Sequence, residues 1–261
     1  MVPHASLIVT TYNWVAALDQ VLASLAVQTE RSFEVIVADD GSRDDTRQAI
    51  QAWQTRFPVP LKHCWQEDQG FRAAAIRNRA VLLAESPYLI FLDGDCVVRP
   101  SFIQRHLSLA KPGWFLAGNR VLCQKAFSPN PQGSFWYWMR QRVQGHINRL
   151  APVLSLPLGP LRYTQPNRWQ GAKTCNLGLW TQDFKTINGF DEQFQGWGFE
   201  DSDLVIRLQN AGVHHKSGRF ALPVFHLWHP EKNRDLTDDN WQRLQETQQS
   251  GRILATQGLF P

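Results

Sequence analysis

Asp93-Gly94-Asp95 follows the apolar run Leu89-Ile-Phe-Leu92, and apolar residues resume at Cys96-Val-Val98. Two carboxylates flanking a glycine suit a hard divalent cation, which takes oxygen ligands and needs a turn able to aim one or both inward. The same tripeptide is also an ordinary polar turn after a strand, so its chemistry rests on its surroundings. Two further polar turns follow apolar runs: Thr10-Thr-Tyr-Asn13 after Ser6-Leu-Ile-Val9, and Asp39-Asp-Gly-Ser42 after Phe33 to Ala38. An Asp in such a turn can accept the N3–H of a uracil, and a Tyr can cover the flat face of a base. Arg72, Arg77 and Arg79, one strand away, can meet phosphate. Turn and capping chemistry is the competing account of Asp39-Asp40. Further along, Glu200, Asp201 and Asp203 open a helical pattern, where acids also gather for the helix dipole alone. The apolar run from Leu222 closes on His226 and His229.

These groups need elements that bring them together. Short apolar runs ended by polar turns predict buried strands at 6–9, 33–38 and 88–93, with a weaker one at 61–65. Between them, Val15, Leu18, Leu22, Leu25 and Ala26 recur at helical spacing, Ser42 with Asp45 signals a helix near 44–56, and a third helix covers about 73–85. Strand and helix alternate four times in the first hundred residues, the pattern of a parallel, doubly wound sheet. Ligands of such sheets bind beyond the carboxyl ends of the strands, where the three turns fall. The second half is less regular. It predicts a helix from Pro100 to about Ala110, a strand from Trp114 to Val121 and a helix at 134–149. A helix from Glu200 to near Gly212 and a surface helix from Asp239 to Leu254 complete it.

The chain has 261 residues, enough for one large α/β domain with an ample core. Its four cysteines (Cys64, Cys96, Cys123, Cys175) form no C-x-x-C pair, which predicts a reducing compartment. Met1-Val-Pro-His4 does not resemble a signal peptide, and no run approaches eighteen apolar residues, so no membrane span is expected. The eleven Trp suit sugar or lipid contacts. Charge is unevenly spread: residues 96–182 contain no Asp or Glu but eleven Lys and Arg, leaving sixteen bases against twenty-three acids elsewhere. So large a field needs an anionic partner. No nucleic-acid-binding motif accompanies it, so nucleic acid is not expected. Phe135-Trp-Tyr-Trp-Met139, with Arg140 and Arg142, suits an anionic membrane surface. There Trp136 and Trp138 would settle at headgroup level while the arginines meet lipid phosphate.

Ile8-Val-Thr-Thr-Tyr-Asn13, Val37-Ala-Asp-Asp-Gly-Ser42, Gly70 through Arg77-Asn78, and Phe91-Leu-Asp-Gly-Asp95 together resemble the family 2 glycosyltransferases of the GT-A fold. They do so in order and spacing over about residues 5–100. The resemblance implies an α/β, Rossmann-like, mostly parallel sheet flanked by helices, with a C-terminal acceptor-binding portion. Residues 1–120 would bind the nucleotide sugar and 121–261 the acceptor, in one continuous unit. It implies that Thr10, Tyr12 and Asp40 hold the nucleoside of an NDP-sugar, UDP-linked, with Asn13, Asp39, Arg77 and Gly94 among the donor contacts. Asp93 and Asp95 would meet ribose and a divalent metal on the diphosphate.

Gly189-Phe-Asp-Glu192 and Gly196-Trp-Gly-Phe-Glu-Asp-Ser-Asp203 resemble the acceptor-side motif of β-1,4-galactosyltransferases and chondroitin-polymerising enzymes. That likeness makes Asp201 the general base and puts Trp197 and Glu200 at the acceptor. Phe199 stands where those enzymes usually carry Gly, so the pocket beside the base is expected to differ in shape. The family's remaining metal ligand is a His at this distance downstream, here His226, with His229 as the alternative. Lys173 and Asn176 fall in a stretch that borders the donor sugar, Lys173 on the donor side and Asn176 toward the acceptor. Imidazole beside carboxylate and diphosphate oxygens favours Mn²⁺ over Mg²⁺.

The resulting expectation is a metal-dependent, inverting hexosyltransferase in the cytoplasm, peripheral at the inner membrane face. Its acceptor would be an anionic, lipid-linked glycan such as a lipopolysaccharide core or capsule precursor. One alternative is a non-catalytic glycan- or nucleotide-binding module on the same frame, against which Asp93, Asp95, Asp201 and His226 all stand intact. The other is a phosphohydrolase with Asp93 as nucleophile and Asp95 as acid. It calls for a small hydroxyl residue after the second Asp, where Cys96 stands.

Overall fold

A computed structural model describes residues 4–230 and 237–260. In chain order the first half comprises β1 (Ala5–Thr11), α1 (Val15–Ala26), β2 (Phe33–Asp39), α2 (Asp44–Gln54), β3 (Leu61–Trp65), α3 (Ala73–Leu82), β4 (Tyr88–Asp93), β5 (Cys96–Val98) and α4 (Phe102–Leu109). There follow β6 (Trp114–Ala117), β7 (Asn119–Leu122), α5 (Phe135–Val143), β8 (Asn176–Trp180), α6 (Thr181–Thr186), α7 (Glu200–Asn210), β9 (His214–Ser217), β10 (Pro223–His226) and α8 (Thr237–Ser250).

Strands β1, β2 and β4 each hold a continuous apolar stretch (Leu7–Val9, Val35–Ala38, Leu89–Leu92) because both faces of their sheet are covered. Successive side chains point to opposite faces, so Leu7, Val9, Val35, Val37, Ile90 and Leu92 enter one core. Ile8, Ile36, Ala38, Leu89 and Phe91 enter the other. The sheet has seven strands in the order β3-β2-β1-β4-β8-β6-β9. The chain steps outward from β1 to β3 and then returns to place β4 on the far side of β1. That reversal opens a crevice at the carboxyl ends. Register sets its floor: Thr10 lies beside Asp93 across β1 and β4, and Thr11 beside Asp39 across β1 and β2. The three polar turns therefore share one edge.

The expected strand at 114–121 is two strands in two sheets. Gly118 is where the chain changes sheet, and a Cβ there would sit 2.6 Å from the Leu222 carbonyl and collide with the Asn176 side chain. Beyond it β7 joins a small sheet ordered β5-β10-β7. Ser42 does not cap α2: the N-cap is Arg43, and the Ser42 hydroxyl accepts from the Asn13 amide at 2.8 Å, tying the first two turns together. Helix α5 ends at Val143, ahead of the expected 149, because Gly145 takes the left-handed φ of +78°. Its Trp138 is completely buried and lies flat on Phe225 of β10, ring centroids 4.0 Å apart. Trp138 therefore cannot meet a membrane, whereas Trp136 (72% exposed) and Val143 (83% exposed) point outward. Among the described residues no helix is long and apolar enough to cross a membrane.

Gly178 of β8 leaves room for two polar groups in the core, since a Cβ there would come within 2.7 Å of the His106 imidazole and still nearer the Tyr88 hydroxyl. His106, fully buried on α4, bonds Asn176 through Nε2 at 3.1 Å, and burial lowers its pKa to about 4. Folded His106 thus stays neutral where the unfolded ring takes a proton, so stability drops as pH falls through the window from 6.5 to 4. Urea denaturation should show about 2 kcal/mol lost between pH 7 and 5 from this group. The loss should be smaller by that amount in His106→Gln. Identical pH slopes in the two proteins would remove His106 as the cause.

Candidate active site

The crevice is a cavity of about 790 Å³ at the carboxyl ends of β1 and β4, walled on the far side by the N-terminus of α7 and the end of β10. Its lining includes Thr10, Tyr12, Asp40, Arg77, Asp93, Gly94, Asp95, Lys173, Trp197, Glu200, Asp201, His226 and His229. Thirteen residues expected from sequence thus meet in one place.

Of the three arginines expected to meet phosphate only Arg77 lines the cavity, Arg72 donating instead to the Glu67 carbonyl at 2.6 Å and Arg79 lying outside. Three further expected residues lie elsewhere. Asp39, still in β2, turns into the sheet, where it pairs with His63 at 3.0 Å and accepts the Ser42 amide at 2.8 Å. Asn13 (φ +48°) spends its side chain on the Arg43 amide. Asn176 is buried between His106 and the Leu222 carbonyl. All three brace the site without facing it. Trp14, Phe71, Arg120 and Trp228 also line the cavity and were not singled out by any motif.

At the floor, Arg77 on α3 is almost wholly buried. Nε donates to Thr10 Oγ1 (3.0 Å), Nη2 to Asp93 Oδ1 (3.2 Å) and Nη1 to Glu200 Oε1 (3.2 Å). Burial works against its charge, but Asp93 and Glu200 outweigh that and raise its pKa. The same burial pushes the Asp93 and Glu200 carboxyls upward, with nearby Asp95 and Asp201 adding to it and Arg77 opposing. Gly94 is required by contact: its amide donates to the Thr10 carbonyl at 2.7 Å, and a Cβ would stand 2.7 Å from the same oxygen. On the base side, Asp40 accepts from Gln66 (2.6 Å) and the Arg72 amide (2.8 Å), and burial raises its pKa. Tyr12 is held by its hydroxyl on Asp68 at 2.8 Å.

Asp95, His226 and His229 form a group whose ligand atoms all lie within 4.8 Å of one another. Asp95 Oδ2 stands 3.5 Å from His226 Nε2 and 3.4 Å from His229 Nε2. His229 Nδ1 lies 2.7 Å from the Pro230 carbonyl, which can only accept, so Nδ1 carries a proton and Nε2 is the nitrogen turned toward Asp95. Burial lowers the His226 pKa, with the nearby Asp95 charge working the other way. One carboxylate and two imidazoles fit a divalent first-row ion. Both histidines join the group, rather than one or the other, while Asp93 is engaged by Arg77.

On the opposite wall, the three acids of α7 divide their work. Glu200 meets Arg77, Asp203 is buried against Arg207 at 2.7 Å, and Asp201 faces the cavity. Lys173 Nζ and the Ser202 hydroxyl both reach Asp201 Oδ1, at 3.2 and 3.3 Å. Phe199, the N-cap of α7, adopts φ +72°, a left-handed conformation that a glycine takes more easily. Its ring packs on Trp241 of α8 at 5.2 Å, and buried Asn240 donates to the carbonyls of Gln195 and Gly198. Helix α8 thus clamps the loop that presents Trp197.

A family model described as glycosyl transferase family 2 matches residues 6–163, and one described as the N-terminal domain of galactosyltransferase matches 162–229. Validoxylamine A glucosyltransferase of Streptomyces hygroscopicus subsp. jinggangensis is 34% identical over 227 residues, covering 81% of this chain and 53% of that protein. Chondroitin synthase of Escherichia coli is 25% identical over 251 residues, 88% of this chain and 35% of the other. The chain thus spans about half or less of these relatives' length. Among solved structures, S. aureus TarS 1–349 superimposes with a TM-score of 0.62 at 18% identity, over 97% of this chain and 66% of that one. It has also been solved with UDP-GlcNAc. At this identity the likeness carries the fold alone, a mostly parallel α/β sheet of the GT-A type.

Replacing Arg77 by Met should strand Asp93 and Glu200 as part-buried, unbalanced acids and cost up to about 3 kcal/mol in urea denaturation. Adding Glu200→Gln should recover part of that loss, since the two positions share one interaction. Strictly additive losses would show that the guanidinium does not balance Glu200.

Proposed function

The chain belongs to glycosyl transferase family 2, and we propose that it transfers a sugar from a UDP-linked donor to a glycan hydroxyl with inversion at the anomeric carbon. One observation carries this reading: the Asp201 carboxylate and the Asp95–His226–His229 group open into the same cavity. Asp40 and Tyr12 are placed to hold the nucleoside, and Trp197 to stack on the sugar that accepts. Asp201 takes the proton of the attacking hydroxyl. Lys173 and Ser202 both approach Oδ1, which leaves Oδ2 for that proton. One displacement served by one base inverts the donor configuration.

Five carboxylates (Asp40, Asp93, Asp95, Glu200, Asp201) face three cations (Arg77, Arg120, Lys173) in the lining, so it is net negative. A diphosphate enters such a cavity only with added positive charge. Asp95, His226 and His229 would hold a divalent ion, with Mn²⁺ favoured by the imidazoles, and its chemistry there is to neutralise the departing diphosphate. The test is a panel of NDP-sugars scored for metal-dependent hydrolysis and for thermal shift. UDP-sugars should register with Mn²⁺, and Asp95→Ala should abolish both signals. Asp201→Asn should retain UDP binding while kcat falls on the order of 10²- to 10⁴-fold. Full turnover in excess EDTA, or a product of retained configuration, would overturn the assignment.

The acceptor we propose is an anionic, lipid-linked glycan, such as a lipopolysaccharide core or capsule precursor, met at the inner membrane face. The acid-free stretch supports it, although Arg105, Arg149 and Arg162 there donate to backbone carbonyls and are not free. Exposed Trp136, Arg140, Arg142 and Val143 on and beside the outer face of α5 supply the surface. Each arginine near anionic lipid contributes about 1 kcal/mol. Flotation should appear with anionic vesicles, weaken from about 50 to 300 mM salt, and fall in Trp136→Ala/Arg140→Ala/Arg142→Ala. Equal flotation with neutral vesicles would exclude charge as the cause.

A further inference from the structure

Of the three basic side chains in the cavity, two are already committed. Arg77 divides its donors among Thr10, Asp93 and Glu200, and Lys173 is paired with Asp201. Arg120 differs. It is exposed on β7, and among the described residues its guanidinium meets no carboxylate and no hydrogen-bond acceptor. Its backbone, by contrast, is held firmly: the Arg149 guanidinium donates twice to its carbonyl, at 2.6 and 3.2 Å. Strand alternation turns Arg120 and Leu122 to the cavity and Val121 into the core.

Position narrows what this cation serves. Strand β7 pairs with β10 so that Arg120 lies beside Val224 and Leu122 beside His226. Both strands edge the cavity, so Arg120 stands on the side where the carboxylate–imidazole group lies. The base Asp201 has its own cation in Lys173. An unpaired guanidinium at the edge of a net-negative cavity presents a fork that matches phosphate oxygens in shape as well as charge.

We propose that Arg120 binds the diphosphate of the nucleotide donor and holds its charge as the sugar departs. This rests on the UDP-donor reading above and adds to it a residue that no motif marked. Being exposed, Arg120 can be replaced without disturbing the core.

Isothermal titration at saturating Mn²⁺ with UDP and with uridine separates the possibilities. Arg120→Gln should weaken UDP about tenfold or more while uridine changes less than twofold, because only UDP carries the phosphates. Arg120→Lys should recover part of the loss, retaining charge without the fork. Equal losses for UDP and uridine would make Arg120 a structural support and overturn the proposal. So would an unchanged UDP affinity, which would put its charge at the service of the acceptor. A wild-type chain that binds no UDP would instead overturn the donor reading itself, and this inference with it.

Discussion

A buried guanidinium holds the site together. Arg77 arrives from α3 and reaches three elements that are far apart in sequence: β1 through Thr10, β4 through Asp93 and α7 through Glu200. Removing one partner of such a cluster leaves the others charged in a poor solvent, so they stand or fall together. The crevice that topology opens between β1 and β4 would exist without Arg77. What the cation adds is the attachment of α7, and with it the placing of Asp201 opposite Asp95. Asn78, the next residue, extends the same seam by bonding both the amide and the carbonyl of Phe190. Helix α3 is therefore less a cover for the sheet than a bolt between the two halves of the chain.

The parallel part of the fold was legible because its strands are buried on both faces and end in polar turns, and register then dictates which turns meet. Where side-chain direction mattered, sequence said less. Asp39 and Asp40 are adjacent, but β2 runs on through Asp39, so alternation sends one carboxylate to His63 and the other to the cavity. Asn176 sits in a stretch with a site-like neighbour, Lys173, yet β8 turns it toward His106. His226 and His229 looked like alternatives because spacing alone cannot show that a chain leaving β10 turns back on itself. Arg120 carried no signal: a lone arginine in a short alternating strand looks like any exposed residue.

Helix α8 lies beyond the residues that either family model matches, and it supports the loop that carries Trp197. A Phe in a left-handed conformation is costly, of order 1–3 kcal/mol, and persists only where its surroundings hold it. Here Trp241 packs on the ring while Asn240 and Thr247 fix the loop before it and Asp203 after it. The strained Phe199 and the helix that packs on it are physically one unit, built from two separate stretches of chain. The loop beside Asp201 is thus held by residues, Asn240 and Trp241, that lie outside both matched regions.

The stack of Trp138 on Phe225 links regions that otherwise look unrelated. Phe225 and His226 are consecutive in β10, so their rings leave the strand on opposite faces. One is pressed by α5, and the other stands beside Asp95. Both rings ride on a four-residue strand clasped between β5 and β7, which has little freedom to bend within itself. The packing that seats α5 and the imidazole that stands beside Asp95 thus meet at adjacent residues of one short strand.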